Sequence, residues 1–335
     1  YTGYVGSSYT PPVKTYSNFT SPSTKTITLS ATASNNVVNY YYTRTCYGEY
    51  CGYCTKGSAL GQCMYEERSE LGLYQSGLTN DEDNYRVIGT KTDQPNNYIC
   101  FGTTDEAKCT DATYLHRIIG VFTDSHQVRL IREEANAGRR FHNSSLSTAH
   151  YHYSSLATGS FSSIPTTATF GWPTTINGST KWSDIVVNRT FGEIHNKSAY
   201  TYSAQSFVNI DEAVEGYSGS YTSKAYPIAL SDLLLSTGST TLTFQNSYNT
   251  IKNSWLLLGS NEWTYQMFNT SHAWVISSGG KLCGNSTSLS SYCSEVSGYV
   301  TYSYAVRTNF QLHQNVLFCG GDGSKTDPII LGWGN

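Results

Sequence analysis

The sequence predicts an α+β protein in which strands dominate and disulfides fasten the loops. Tyrosine accounts for 28 of the 335 residues, and Ser, Thr, Gly and Asn are abundant. Charged residues make up only 13% of the chain, about half of their usual share in globular proteins. Tyr and Thr favour half-buried pleated surfaces, and nine cysteines are present, so the composition is typical of an extracellular β-rich protein.

The length and charge exclude several classes of protein. A chain of 335 residues can bury a sizeable core in one large domain or two ordinary ones. A net charge of -3 gives no electrostatic footprint for nucleic acid or for anionic lipid. No run approaches the roughly 18 consecutive apolar residues of a membrane span. We therefore predict neither a nucleic-acid partner nor a membrane span.

Residues 1–45 predict an extended tail followed by strands. Residues 1–24 are rich in Tyr, Ser, Thr and Pro, and the run TKTITLSATA then places Ile27 and Leu29 on one strand face. The run VVNYYYT is a second strand candidate. The tail either packs on its own domain or adds a strand to a neighbouring subunit. The candidate assembly residues are Tyr1, Tyr4, Val5, Tyr9, Ile27 and Leu29.

The nine cysteines fall into local groups. Residues 46–69 form a cysteine-rich module, whose second half predicts one short helix and whose cysteines are Cys46, Cys51, Cys54 and Cys63. This group also suits a zinc site, although its spacing differs from that of zinc ribbons, and we predict no metal. Two pairs bracket short loops and predict local disulfides, Cys100 with Cys109 and Cys283 with Cys293. Cys319 joins the first group, which leaves one thiol either buried and free or cross-linked to another chain.

Residues 70–335 predict a globular β-rich domain. It opens with two short strands in GLYQSGLTNDEDNYRVIG, and Asp81, Glu82 and Asp83 between them predict a solvated turn more than a calcium loop. Three further strands, 98–101, 116–122 and 127–131, predict an antiparallel meander with a turn at TDSH.

Residues 132–252 carry weaker patterns. REEANAGRR predicts a short helix or an exposed loop, and KWSDIVVNRTFGEI predicts a helix capped by Ser183 or Asp184. FVNIDEAVEGY and PIALSDLLLS predict two more helical turns. These segments make the class α+β.

Residues 253–331 predict the closing sheet of the domain. Apolar runs at 255–258, 273–276, 316–318 and 329–331 alternate with Gly, Asn, Ser and Asp, as strands alternate with tight turns. The pattern specifies a fold more than a chemistry.

Several of these segments carry a family resemblance. NYICFGTTD at 97–105, Cys109, RIIGVF at 117–122 and VRLI at 128–131 agree in order with uncharacterised secreted or surface proteins, often pilin-like, of uncultured Gram-positive bacteria. The agreement continues through a terminal domain of unknown function and covers roughly residues 70–331. The matching positions there are Trp255, Gly259, Glu262, Trp263, 273–277, Gly280, Leu282, 305–307 and 321–328.

The resemblance implies a surface protein with a C-type-lectin-like closing domain. Relatives often begin with an apolar pilin-like helix, which implies filaments or envelope attachment, but residues 1–45 contain no such helix and Thr308 replaces a proline. Assembly through a pilin helix is therefore not predicted. The Trp, Ser-Gly and Val-Arg order of the last strands also resembles C-type-lectin-like domains, including the formylglycine-generating type, and this likeness predicts fold alone.

Candidate chemistry is sparse. His150 and His152 would share one strand face, as a metal pair would, but no third ligand is evident. The contiguous residues 124–126 predict a turn and not a catalytic triad. Glu262 beside Trp263 is a candidate glycan contact, but tryptophans in a closing strand are more often core or cross-strand partners, and the packing role is favoured. Asp322 and Asp327 suit a turn before the last strand. We predict no catalytic residue, metal or cofactor.

Seven sequons are candidate glycosylation sites. About six would arise by chance in a chain this rich in Asn, Ser and Thr, so they do not establish glycosylation. The asparagines are Asn18, Asn143, Asn177, Asn188, Asn196, Asn269 and Asn285.

The sequence thus predicts a non-enzymatic extracellular or cell-surface protein. We expect a subunit of a self-associating filament or pilus-like appendage, assembled through its N-terminal tail, with copies of itself as partners. The alternative is a lectin-like adhesion module that binds host or environmental glycans.

Overall fold

A computed structural model describes residues 3–15, 19–44, 54–140, 175–176, 178–192, 203–212, 220–240, 251–269, 272–284 and 301–334. Its α-helices are short: α1 (Leu60–Glu66), α2 (Ala204–Asp211) and α3 (Leu230–Leu235). Single 3₁₀ turns occupy Ala33–Asn35 and Glu106–Lys108. Most of the remaining regular structure is antiparallel β-sheet, which confirms the prediction of a strand-dominated α+β protein.

The strands are mostly short, and the longest have eight residues. In chain order they are β1 (Ser8–Tyr9), β2 (Phe19–Thr20), β3 (Ile27–Thr28), β4 (Thr43–Arg44), β5 (Leu73–Gln75), β6 (Tyr85–Val87), β7 (Tyr98–Cys100), β8 (Leu115–Phe122), β9 (Gln127–Arg132), β10 (Asn136–Arg140), β11 (Val186–Val187), β12 (Arg189–Gly192), β13 (Ser220–Ser223), β14 (Ala225–Tyr226), β15 (Glu262–Asn269), β16 (His272–Ile276), β17 (Leu282–Cys283), β18 (Ser303–Val306), β19 (Asn309–Leu312), β20 (Val316–Gly320) and β21 (Ile330–Trp333).

An eight-stranded antiparallel sheet forms the centre of the protein. Its main path runs β11-β19-β9-β8-β6-β5, with β14 also paired to β19 and β7 also paired to β8. Every residue of β8 is buried, because both faces of this strand are covered. The β5–β6 hairpin and the β7-β8-β9 meander confirm the strands predicted in these segments.

Helices cover opposite faces of this sheet. A Cβ on Gly61 of α1 would lie only 1.7 Å from the carbonyl oxygen of His126, beside Val128 of β9, so α1 lies directly against one face. The adjacent residue Arg129 points to the other face, where it contacts Asp232 of α3. Residues 54–69, part of the predicted cysteine-rich module, therefore belong to the main core through Leu60 and α1.

The second large sheet has the order β10-β18-β15-β16-β17. Its pairs are antiparallel except β15–β18, which is parallel. The single closing sheet predicted for 253–331 is wrong: β15 to β18 lie here, β19 lies in the eight-stranded sheet, and β20 pairs with β21. Only Arg307 and Thr308 separate β18 from β19, so the chain changes sheets within two residues.

Three local predictions also fail. Residues 255–258 form an irregular segment that is buried at 255–257, and the indole nitrogen of Trp255 donates to the Val87 carbonyl oxygen. The helix predicted after Ser183 is replaced by β11 and β12, since Ile, Val and Val in succession favour strands. Residues 136–140, predicted as a helix or loop, form β10. The helical turns predicted in FVNIDEAVEGY and PIALSDLLLS are confirmed as α2 and α3.

Candidate functional site

The N-terminal segment, residues 1–44, contains two small antiparallel ribbons. β1 pairs with β3, so that Tyr9 lies opposite Ile27, and β2 pairs with β4. Gly6 N–H donates to the Leu29 carbonyl oxygen at 2.8 Å, which extends the first ribbon. The Tyr40 hydroxyl donates to the Pro11 carbonyl oxygen at 2.8 Å. The structure thus brings together three of the predicted assembly residues, Tyr9, Ile27 and Leu29.

The N-terminal segment buries none of the residues whose exposure is described, 3–15 and 21–42. Tyr4 is 89% exposed, Val5 68%, Val37 62% and Tyr41 76%. These are the four most exposed large hydrophobic side chains in the described parts of the chain. Tyr1, the remaining predicted assembly residue, lies outside them. The segment therefore presents these apolar side chains to solvent from the chain between its short strands and ahead of β1.

Charge also separates the N-terminal segment from the rest of the chain. Its three charged residues, Lys14, Lys25 and Arg44, are all basic. The chain has 21 Lys and Arg and 24 Asp and Glu residues, so the segment carries a formal charge of +3 and the remaining residues carry -6. The two parts of the sequence are electrostatically complementary.

A cluster of charged side chains is buried on the α3 face of the eight-stranded sheet. Asp232 accepts from Arg86 Nε at 3.1 Å and from Arg129 Nη1 at 2.7 Å. Asp81 accepts from Arg86 Nη1 at 2.7 Å. Both guanidinium groups lie over the Phe122 ring, with their carbons 5.1 and 3.4 Å from its centre. Asp81 is fully buried, so the turn predicted as solvated is exposed only at Glu82 and Asp83.

The cluster continues to α2 and β12. Arg189 Nη2 donates to Glu212 Oε1 at 2.7 Å and to the Asp211 carbonyl oxygen at 3.0 Å. The Asp211 carboxylate accepts the Ser231 N–H at 2.8 Å and the Tyr265 hydroxyl, so it joins the end of α2 to the start of α3.

The contacts of the cluster join two helices to the sheet, α3 through Asp232 and α2 through the Asp211 carbonyl oxygen. Burial raises the pKa of Asp211 to about 6, against the opposing effect of Arg189. Burial also acts to raise the pKa of Asp232, but Arg129, Arg86 and Arg189 outweigh it and the pKa is lowered. The opposing charges thus compensate one another inside the protein.

The structure places the candidate glycan-contact pair inside the protein. Trp263 is fully buried and packs edge-on against Tyr304, with ring centres 4.8 Å apart. Glu262 is also buried and accepts from Arg307 Nε at 2.8 Å and from Arg307 Nη2 at 2.9 Å. Arg307 also donates to the Leu256 carbonyl oxygen. The packing alternative therefore describes these residues, and neither offers a surface to a glycan.

Two disulfides are described, Cys54–Cys63 and Cys100–Cys109. The second confirms the predicted loop pair, and the first removes two thiolates from the alternative zinc site. Cys283 is also disulfide-bonded, and its predicted partner Cys293 lies outside the described residues, as do Cys46 and Cys51.

Cys319 is the free thiol of the described residues and is partly exposed. Burial raises its pKa, and Lys56 opposes the increase. A raised pKa lowers the thiolate fraction at neutral pH, and the thiolate is the nucleophilic form of cysteine.

The remaining candidates lie in turns or outside the described ranges. Asp322 N–H donates to the Asp327 carbonyl oxygen at 3.0 Å, as expected for a turn. The described residues contain no group of three or more His, Cys, Asp or Glu side chains placed to hold a metal. Asn188 is exposed and Asn269 ends β15. The others fall outside the described residues: His150, His152, Asn18, Asn143, Asn177, Asn196 and Asn285.

Sequence reasoning missed the buried charged cluster. The available signal was a charged residue inside an apolar strand or helix, as in VRLIR around Arg129 and LSDLLL around Asp232. Such residues are almost never fully buried unless they are paired.

No protein-family model, curated protein or solved structure matches this chain. Among the helices that the structure describes, none is long and apolar enough to cross a membrane.

Proposed function

We propose that this chain is a non-enzymatic structural protein of the cell surface, a subunit of a self-associating filament or pilus-like appendage that assembles through its N-terminal segment. The observation that carries the proposal is the absence of any buried residue in 3–15 and 21–42. Two-stranded ribbons are at best marginally stable in water on their own. A second copy that covers the segment would supply the missing burial.

Burial of the exposed side chains of the N-terminal segment would contribute to the free energy of association between two copies. Covering Tyr4, Val5, Val37 and Tyr41 would contribute at most roughly 6–12 kcal/mol at about 1.5–3 kcal/mol per side chain. Part of this gain is lost to the entropy of association. The association free energy that remains suits a contact that repeats along a polymer. In such a polymer each subunit contacts one neighbour on either side.

Disulfides support the proposed location outside the cell. Bonds such as Cys54–Cys63 and Cys100–Cys109 form and persist in oxidising compartments. The low share of charged residues and the abundance of Tyr favour the same location. The resemblance to secreted or surface proteins is further support for the proposal.

The test replaces exposed side chains without touching the core. Tyr4→Ser, Val5→Ser and Tyr41→Ser together should raise the concentration needed for assembly at least tenfold, measured by light scattering and analytical ultracentrifugation. Tyr302→Ser is the matched control, because Tyr302 is 48% exposed but lies outside the segment. Equal assembly by the triple variant and the wild type would refute the proposal.

A further inference from the structure

One edge of the eight-stranded sheet is open among the described residues. β5 is the last strand on the main path, and its described pairing is with β6 alone. Gln75, at the end of β5, is exposed, while Leu73 and Tyr74 are half-buried. Leu73 N–H already donates to the Arg68 carbonyl oxygen, and the other outward backbone N–H and C=O groups of this edge strand can pair with another chain.

Acidic residues surround this edge. The turn before β5 is tied to it, since Leu71 N–H donates to the Glu67 carbonyl oxygen at 2.9 Å and Leu73 N–H to the Arg68 carbonyl oxygen at 2.8 Å. On the far side of the hairpin, Gln75 Nε2 donates to the Glu82 carbonyl oxygen. These two stretches carry five carboxylates. Glu67 is half-buried, and the exposed ones are Glu66, Glu70, Glu82 and Asp83.

The nearby cation does not neutralise the edge. Arg68 is half-buried and lies over the Tyr65 ring, with its guanidinium carbon 4.5 Å from the ring centre. Its Nη1 donates to the Tyr65 carbonyl oxygen at 2.7 Å. The exposed rim of β5 therefore keeps its negative character.

The N-terminal segment has complementary properties. It carries a charge of +3, and Lys14 and Lys25 are exposed on the chain that flanks β1 and β3. The β1–β3 ribbon has two outer sides, each able to pair with a further strand. An extended basic ribbon therefore matches an open acidic edge in both shape and charge.

We propose that the β1–β3 ribbon of one copy adds to the free side of β5 in the next copy, with Lys14 and Lys25 facing the carboxylates around that edge. This inference rests on the proposed function and names the surface that receives the N-terminal segment. Donor and acceptor are different surfaces of the same chain, so a bound pair still has one free donor in one copy and one free acceptor in the other. The contact is heterologous and produces an open-ended chain of subunits.

Charge reversal tests the acceptor edge in the full chain. Glu70→Lys, Glu82→Lys and Asp83→Lys together should raise the critical concentration for assembly about tenfold, because three rim contacts become repulsive. The control reverses the charge of three other carboxylates that lie outside the two acidic stretches, with Asp93→Lys, Glu106→Lys and Glu134→Lys. It should assemble like the wild type. A donor variant with Lys14→Glu and Lys25→Glu should recover assembly when mixed with the acceptor variant.

Disulfide trapping tests the register directly. In a Cys319→Ser background, Thr10→Cys mixed with Gln75→Cys should give a cross-linked dimer on mild oxidation. Thr10→Cys mixed with Asn188→Cys is the control, because Asn188 is exposed and follows β11 at the other end of the sheet. Equal cross-linking in both mixtures would overturn the inference.

The outcomes separate the two proposals. If the acceptor variant assembles like the wild type while removal of residues 1–44 abolishes assembly, the β5 edge is not the receiving surface and the proposed function stands. If the chain without residues 1–44 still assembles normally, both proposals fall.

Discussion

Replacing Asp232 with asparagine should destabilise the fold more than any exposed substitution. Asp232 is fully buried and is the anion shared by Arg86 and Arg129. The change keeps the size of the side chain but removes its charge. Two buried guanidinium groups then lose a common partner, and an uncompensated buried charge is strongly unfavourable.

The size of the stability loss depends on which partners each arginine keeps after the substitution. Arg86 keeps Asp81 at 2.7 Å. Among the described residues, the polar partners left to Arg129 are Gln311 at 3.4 Å and the Glu212 carboxylate at 3.9 Å. Breaking one buried ion pair typically costs about 3–5 kcal/mol, so we expect a loss of about that size in the free energy of unfolding. At about 2–4 °C per kcal/mol, Tm should fall by roughly 6–20 °C.

The assay is urea unfolding at pH 7, followed by circular dichroism. The pKa of Asp232 is lowered, so its stabilising contribution is present above the unfolded value of about 4 and is lost as pH falls below it. Asp124→Asn, on an exposed turn, is the matched control and should change little. A second test adds Arg129→Met, and the double variant should be more stable than Asp232→Asn alone. A loss below about 1 kcal/mol for Asp232→Asn would refute the reasoning.

Two further predictions concern pH and packing. Burial raises the pKa of Asp211 to about 6, so the folded protein binds more protons than the unfolded chain between about pH 4 and 6, and stability falls as pH rises through that window. Asp211→Asn should remove about 2–3 kcal/mol of the pH-dependent change in the free energy of unfolding. The measurement is the free energy of unfolding as a function of pH, and the same slope in both proteins would contradict the prediction. Gly120→Ala should cost at least about 2 kcal/mol, since its Cβ would lie 2.1 Å from the Tyr85 carbonyl oxygen, and an unchanged Tm would contradict it.

The central meander could be predicted because its sequence signals are local. The strands β7, β8 and β9 are apolar runs bounded by turn residues, and both the strands and their antiparallel order follow from that pattern. The failed prediction of a single closing sheet for 253–331 has a physical cause. The chain from β18 to β19 changes sheets at Arg307, and no local pattern records which sheet a strand joins.

The buried charged cluster could not be predicted from periodicity alone. Arg86 and Asp232 are 146 residues apart, so their pairing depends on the packing of α3 on the sheet. Glu262 and Trp263 show where the sequence left two roles open, and burial agrees with the packing role that the sequence favoured. A carboxylate beside an indole resembles a sugar site in sequence, but only burial decides between a binding surface and a core pair.

Negative-stain electron microscopy of the full chain, after concentration under oxidising conditions, tests the proposed self-association most directly. We predict fibres with a regular subunit repeat, and only single particles for the chain that lacks residues 1–44. Single particles of the full chain at every concentration, with the same sedimentation coefficient as the truncated chain after correction for mass, would contradict the account.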